Sequence, residues 1–497
     1  MAAPSRSLAG PARRAGARPR PPAALLALCL ALAALLSTRR EALAHAVLVR
    51  ASPAPNARLT ASPPEIDLFF SEALDRRFST IQVRDASNTL VNTHGVRFTT
   101  DPTEMDLPLP ILKSGYYVVE WTTVSKVDGH KLQGSFPITL LNPDGSLPAG
   151  APPVPAVQTG SASVGPLDDA LRWILLLAVI VTTGGFVFGA VLQAAAGQLD
   201  PPDCEAARCW SLRLVGATAC TAAAVGALVN LEILARQADQ VGGPAQLGAI
   251  LATRSGLYWS LREATALAAT GVAYLIASQR QRLRRGTRRW LLIAGGALAA
   301  VAIATLCLTS HAAAGGGAGW AVPIDFVHIV SVAVWLGSLL LLPALLLRPL
   351  PLSAEGATRF RARAVGRFSF LASIAIAAVA LSGLFSASIE MGSLRNFTTT
   401  DYGRTLLIKI GLALPVFVLG GWNALRLARR VERGNGEDGA ARALGRSALL
   451  EGFFGLCVLA ATAALVLAVP AKQAAAQKQV KLQPSAATGA VYRNTAP

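Results

Sequence analysis

The chain has 497 residues, of which 53% are hydrophobic and 15% charged, and its mean hydropathy of +0.46 excludes an ordinary water-soluble composition. Lys and Arg outnumber Asp and Glu by 46 to 28, a net charge of +18. That excess does not imply nucleic acid, because the arginines gather in short segments between apolar runs and no nucleic-acid motif accompanies them.

Residues 1–44 read as a signal peptide. A basic region with Arg13, Arg14, Arg18 and Arg20 precedes a short apolar run, Ala23 to Leu36, and then Ala42-Leu43-Ala44. Small residues after a run too short to span a bilayer fit a leader with a cleavage site. Cleavage there makes His45 the first residue of the mature chain.

Residues 45–142 change character. Ile66–Phe70, Thr80–Val83 and Tyr116–Trp121 are β-branched or aromatic runs, punctuated by Pro, Asn, Asp and Gly. They predict an all-β sandwich or barrel of roughly 100 residues. Asp128-Gly129 between two such runs is a hairpin signal. No cysteine lies between His45 and residue 160, so this domain rests on its apolar core and not on disulfides. Residues 143–168 are rich in Pro, Ala, Gly and Ser, as expected of a flexible linker.

From 169 to 471 the pattern predicts an α-helical membrane bundle. Eight apolar runs lie near 171–192, 210–231, 257–278, 290–310, 323–347, 368–389, 404–425 and 448–470. The segments 279–289, 348–367 and 426–446 are rich in arginine, and the segment between the fourth and fifth runs has no Lys or Arg. By the positive-inside rule the arginine-rich segments are cytoplasmic. Both ends of the bundle then lie outside the cell membrane, where the leader also delivers the β domain. The tail, 472–497, is expected to be disordered and extracytoplasmic.

A histidine at a free N-terminus offers its α-amino nitrogen and its ring Nδ1 to one ion. Two nitrogens from one residue suit Cu(II), which favours tetragonal nitrogen and oxygen coordination. Asp128 and His130, two apart at a hairpin end, supply an anionic oxygen and a third nitrogen. The alternative is that Asp128-Gly129 is only a turn and His130 a surface residue. In the bundle, Asp325 and His328 are i and i+3 on one helix face, with His311 near the same outer end. Together they form a second candidate copper site at an outer entrance; the alternative is that Asp325 and His328 pair with each other or with Lys409 to hold the bundle together. Cys220, Cys307 and Cys457 are soft ligands for Cu(I) or small packed residues, with packing the expected role. Cys204 and Cys209 carry only a weak metal-binding spacing.

His45-Ala46-Val47-Leu48-Val49-Arg50-Ala51-Ser52-Pro53 resembles the mature start of the CopC family of periplasmic copper-binding proteins. Leu68-Phe69-Phe70-Ser71-Glu72 and Ser125 to Phe136 are similar to its two other signature stretches. The likeness implies a Greek-key β-barrel or sandwich, cupredoxin- or immunoglobulin-like, that binds Cu(II) through His45, Asp128 and His130, with Glu72 an acidic neighbour or weak ligand. It departs from the methionine-rich members, since Met105 is the one methionine of the β region, so a Cu(I) site there is not expected. His94 is expected to be a loop histidine. Ser310-His311-Ala312, Asp325–His328, Trp335-Leu336-Gly337, Tyr402–Lys409, Asn423 and Glu451 resemble CopD, a membrane protein associated with copper uptake. The whole looks like a CopC–CopD fusion of the bacterial inner membrane.

These readings predict a non-enzymatic protein for copper transfer, import, homeostasis or resistance, with copper ions and the lipid bilayer as partners and an extracytoplasmic copper chaperone as a candidate. Other readings remain. An N-terminal histidine brace also serves copper-dependent oxidative enzymes, which O₂ reduction by the copper-loaded β domain would reveal. A copper sensor without transport is a second. A haem electron carrier using His311 and His328 is a third, and a Soret band would reveal it.

Overall fold

The computed structural model describes residues 46–127, 129, 131–150, 160–161, 166–310, 313, 318–433, 438–468 and 471. The expected leader and tail lie outside the described residues.

Among the described residues, nine strands form two sheets. They are β1 (Leu48–Ser52), β2 (Arg58–Leu59), β3 (Glu65–Phe70), β4 (Thr80–Asp85), β5 (Arg97–Phe98), β6 (Glu104–Pro108), β7 (Gly115–Val124), β8 (Lys131–Leu140) and β9 (Gly160–Ser161). One sheet has the order β1-β3-β6-β5, and the other β2-β8-β7-β4 with β9 added to β8. The expected strand runs fall in β3, β4 and β7. Their alternation is the cause. In β3, Ile66, Leu68 and Phe70 are buried and Glu65, Asp67 and Phe69 face outward. Each buried side chain contributes about 1.5–3 kcal/mol. Phe70 meets Trp121 of the other sheet edge-to-face, with ring centroids 5.4 Å apart, and Met105 is fully buried in the same core. β7 and β8 pair over ten residues, ending at Val124 opposite Lys131. Their connection carries the hairpin, with Gly129 at φ +76°, a conformation that disfavours any side chain.

Among the described residues, eight long helical elements follow. They are α1 (Pro166–Ala196), α2 (Pro201–Gln240), α3 (Arg254–Gln279) and α4 (Arg285–Leu308). Next, α5 runs through Ala318–Val332, a π turn at Ala333–Gly337, and Ser338–Leu347. After α6 (Ala354–Met391), α7 runs through Asp401–Trp422, a π turn at Asn423–Leu427, and Ala428–Glu432, and α8 is Asp438–Leu467. Thr253, Ser353 and Thr400 cap α3, α6 and α7 by accepting from the backbone N–H of Gly256, Gly356 and Gly403. Pro201 and Pro202 open α2, where a missing N–H costs nothing.

Seven of these elements are long and apolar enough to cross a membrane. The eighth, α3, has the length but carries Arg262 and Glu263, and it packs between α2 and α4. Arg262 is only 2% exposed. Its guanidinium donates to Thr305 Oγ1 and the Thr305 carbonyl, to Thr309 Oγ1 and to Asn230 Oδ1. Those acceptors offset the cost of burying the charge. All eight expected runs therefore correspond to helices. The centre of the bundle is tight because α1 crosses α5 at two glycines: a Cβ on Gly184 would lie 2.4 Å from the Gly337 carbonyl carbon.

Candidate metal centre

Three of the expected copper ligands, His45, Asp128 and His130, lie outside the described residues, as does His311. Their described neighbours are held together. The Ala46 carbonyl accepts from Thr123 Oγ1 at 3.1 Å, and Val47 N–H donates to Ser71 Oγ at 3.0 Å. Thr123 stands near the end of β7, two residues from Ser125, which bridges to Leu74. Lys126 N–H donates to the Ala73 carbonyl at 2.9 Å. The start of the described chain, the segment 71–75 and the hairpin after β7 are thus laced into one end of the sandwich. Glu72 is buried within this lacing, at 4% exposure. His94 is exposed, its Nδ1 3.1 Å from Thr93 Oγ1.

The same hairpin meets the helices. Gln237 Nε2 of α2 donates to the Gly129 carbonyl at 2.9 Å, and Lys131 Nζ donates to the Gln240 carbonyl at 2.9 Å. Val127 is buried against Ala313 and Val322, at the connection from α4 to α5. Phe78, from the segment after β3, packs against the cluster of Leu171, Leu175, Ile233, Leu234 and Trp259. Apolar burial and two hydrogen bonds therefore seat the hairpin over the α4–α5 end of the bundle.

Asp325 and His328 sit in the second and third turns of α5. Asp325 Oδ2 accepts from Ser310 Oγ, at the end of α4, at 3.0 Å, and the Cys307 thiol lies beside the same carboxyl. His328 Nδ1 stands 2.9 Å from Ser382 Oγ of α6. Ser382 gives its own hydrogen to the Ala378 carbonyl one turn back. The imidazole Nδ1 is then the donor, and Nε2 keeps a lone pair for a ligand. Asp325 and His328 do not bond to each other among the described residues; one reaches α4 and the other α6. Lys409 of α7 lies within electrostatic reach of both. Among the described residues no three metal-ligating side chains form a closed cluster.

Further along the bundle, Glu451 of α8 is 2% exposed. Its Oε2 accepts from Asn423 Nδ2 at 2.7 Å, and the Trp335 indole also donates to its carboxyl. Asn423 and Trp335 both stand in π turns, so two irregular helices converge on one carboxyl. Such turns recur at functional sites. Ser382 was not singled out by the sequence, since a serine in an apolar run has no distinguishing pattern. Cys307, expected to pack, is fully buried and also touches Asp325.

The chain matches three family models: the CopC domain over residues 48–140, the copper resistance protein D-like N-terminal domain over 166–322, and copper resistance protein D over 362–465. It is 26% identical over 411 residues to the copper transport protein CutJ of Bacillus subtilis (strain 168), covering 79% of this chain and 70% of that protein. It is 38% identical over 99 residues to the protein YobA of Escherichia coli (strain K12), covering 20% of this chain and 79% of YobA. Among solved structures it is similar to CopC from Methylosinus trichosporium OB3b, with 34% identity, a TM-score of 0.19, and coverage of 19% of this chain and 93% of that one. It is also similar to PcoC, a methionine-rich copper resistance protein from Escherichia coli, with 31% identity, a TM-score of 0.18, and coverage of 20% and 99%. Two of the matched family models are named for copper resistance, and CutJ is named for copper transport.

Proposed function

This chain belongs to the CopC–CopD family of copper-handling multi-pass membrane proteins, and from that premise we propose that it captures Cu(II) outside the cell and passes copper inward through the bundle. Residues 45–142 are the capture domain, with the N-terminal amine and ring of His45, Asp128 and His130 as ligands and Glu72 beside them. The linker 143–168 joins it to the transfer bundle, 169–471. Asp325 and His328, with His311, receive the ion at the outer end. The arginine-rich segments 279–289, 348–367 and 426–446 face the cytoplasm, so the capture domain is extracytoplasmic. An extracytoplasmic copper chaperone is the expected donor.

The observation that carries this reading is the seating of the hairpin. Gly129 and Lys131 bond to the end of α2, and Val127 packs beside the α4–α5 connection. The hairpin segment around Gly129, the sequence neighbour of both Asp128 and His130, is therefore joined to the end of the bundle that holds Ser310 and Asp325. Transfer between two such sites needs only local movement, without release of the ion to bulk solvent.

The test uses the full chain in vesicles, in two forms. One begins at His45 with a free amine; the other carries one extra alanine before it. The free-amine form is expected to bind one Cu(II) tightly and to load the vesicles with copper. Equal binding and equal loading by the two forms would remove His45 from the site. Binding by the free-amine form without any loading would leave a copper sensor.

A further inference from the structure

At the arginine-rich end of the bundle, a cavity of about 520 Å³ opens between α1 and α4. Its polar rim includes Gln193 of α1, Arg208 of α2 and Arg285, Arg288 and Arg289 of α4. Its walls are apolar, with Val187 and Ala190 on α1 and Leu292 and Ile293 on α4. None of these residues is a proposed copper ligand.

Arg288 is 5% exposed. Its Nε donates to the Leu283 carbonyl at 2.8 Å, and its Nη2 donates to the Arg280 carbonyl and to Glu205 Oε1. Its Nη1 is buried with no hydrogen-bond partner among the described residues, and Arg208 Nη1 is in the same position. Both arginines thus line the cavity, and each keeps one guanidinium nitrogen buried without an acceptor among the described residues. A buried charged donor without an acceptor costs more than an ordinary lost hydrogen bond, so the pair calls for a ligand with several anionic oxygens. Glu205 already neutralises part of Arg288, yet Arg208, Arg285 and Arg289 remain on the rim.

The walls decide what kind of anion fits. A cavity of this volume is in the range that holds a sizeable organic ligand, and a free inorganic anion would leave its apolar side unfilled. An amphiphile satisfies both parts. We propose that this cavity binds one anionic phospholipid, its phosphate on Arg208 and Arg288 and the first part of an acyl chain along the groove between α1 and α4. Basic pockets between helices near the membrane surface take anionic headgroups for the same reason. The bound lipid would brace α1, which crosses α5 at Gly184 and Gly337, against α4.

The full chain purified in mild detergent and studied by native mass spectrometry tests this. Wild-type protein is expected to retain one phosphatidylglycerol or cardiolipin per chain, with phosphatidylcholine not retained when offered instead. Arg208→Gln is expected to lower retention roughly tenfold, the loss of one charge-assisted hydrogen bond. Ala190→Phe fills the groove from an exposed position and keeps every arginine; it is expected to lower retention as well, and it decides the matter if Arg208→Gln does not fold. Excess inorganic phosphate is expected not to displace the lipid. Retention unchanged in the folded variants, equal retention of phosphatidylcholine, or displacement by inorganic phosphate alone would each overturn the proposal.

Discussion

His328 Nδ1 and Ser382 Oγ meet at 2.9 Å across the gap between α5 and α6. Because the Ser382 hydrogen goes to the Ala378 carbonyl, the imidazole is turned with Nε2 available. Ser382→Ala removes the partner that fixes this tautomer. Copper uptake by reconstituted vesicles is expected to fall roughly tenfold, as losses of outer-shell partners do. His328→Ala should fall further. Wild-type uptake by both variants would remove His328 from the path.

The seat of the hairpin makes a second prediction. Gln237→Ala deletes the donor to the Gly129 carbonyl without touching a proposed ligand. Cu(II) affinity of the full chain is expected to stay within about twofold, since one part-buried hydrogen bond contributes only ~1 kcal/mol and none of it is made to the ion. Uptake is expected to drop several-fold, because the donor and acceptor sites are no longer held together. Parallel loss of affinity and uptake would mean that Gln237 shapes the copper site itself. Gly129→Ala is the harsher version: its Cβ would stand 2.3 Å from Gln237 Nε2, and its φ of +76° strains any side chain.

Much of the fold is legible in the sequence because two periodicities report it directly. Ile66, Leu68 and Phe70 recur at every second position of β3, and the apolar runs from 171 to 470 have the length of a bilayer. Arg262 did not hide α3, because its acceptors come from Thr305, Thr309 and Asn230 and the surrounding run stays apolar. What escaped depends on rotation and register. The π turns at Ala333–Gly337 and Asn423–Leu427 shift hydrogen bonds by one residue and leave no compositional mark. Ser382 is 54 residues from His328, and only the packing of α5 on α6 brings them together. Gln237 and Gln240 look like ordinary polar residues at a helix end.

On the β domain, Asp67 of β3 lies directly opposite Asp106 of β6, and among the described residues one carboxyl oxygen of each is buried without a hydrogen-bond partner. Burial pushes the Asp106 carboxyl up to about 6, helped by Glu104, Asp67 and Glu65 and opposed by Arg97. Asp67 is raised as well, by burial first and then by Glu65 and Glu104. A raised carboxyl binds more protons in the folded than in the unfolded state between the ordinary value of 3.8 and about 6. Its contribution is therefore complete below pH ~3.8 and lost as pH rises through 6. Solvent screening at this half-exposed pair limits the change to about 1 kcal/mol. Hydrogen exchange of the β3 and β6 amides in metal-free protein, corrected for intrinsic rates, is expected to show greater protection at pH 5 than at pH 7. Asp106→Asn should raise protection at pH 7 and flatten the dependence; a dependence of opposite sign would show that another group governs it.

Glu451 separates a structural carboxyl from one that handles the ion. Two donors from two π turns converge on it, Asn423 Nδ2 and the Trp335 indole. No ion pair to it occurs among the described residues, which makes it a bracket between α5, α7 and α8. Glu451→Ala leaves both donors unsatisfied in an apolar interior, at about 1–3 kcal/mol each, and thermal unfolding in detergent should come several degrees earlier. Glu451→Gln keeps one acceptor oxygen and the volume of the side chain, so most of the stability and of the copper uptake is expected to remain. Uptake abolished by Glu451→Gln at unchanged unfolding temperature would show instead that the charge itself acts on the cargo. The bracket would then be a second station of the path, below Asp325 and His328.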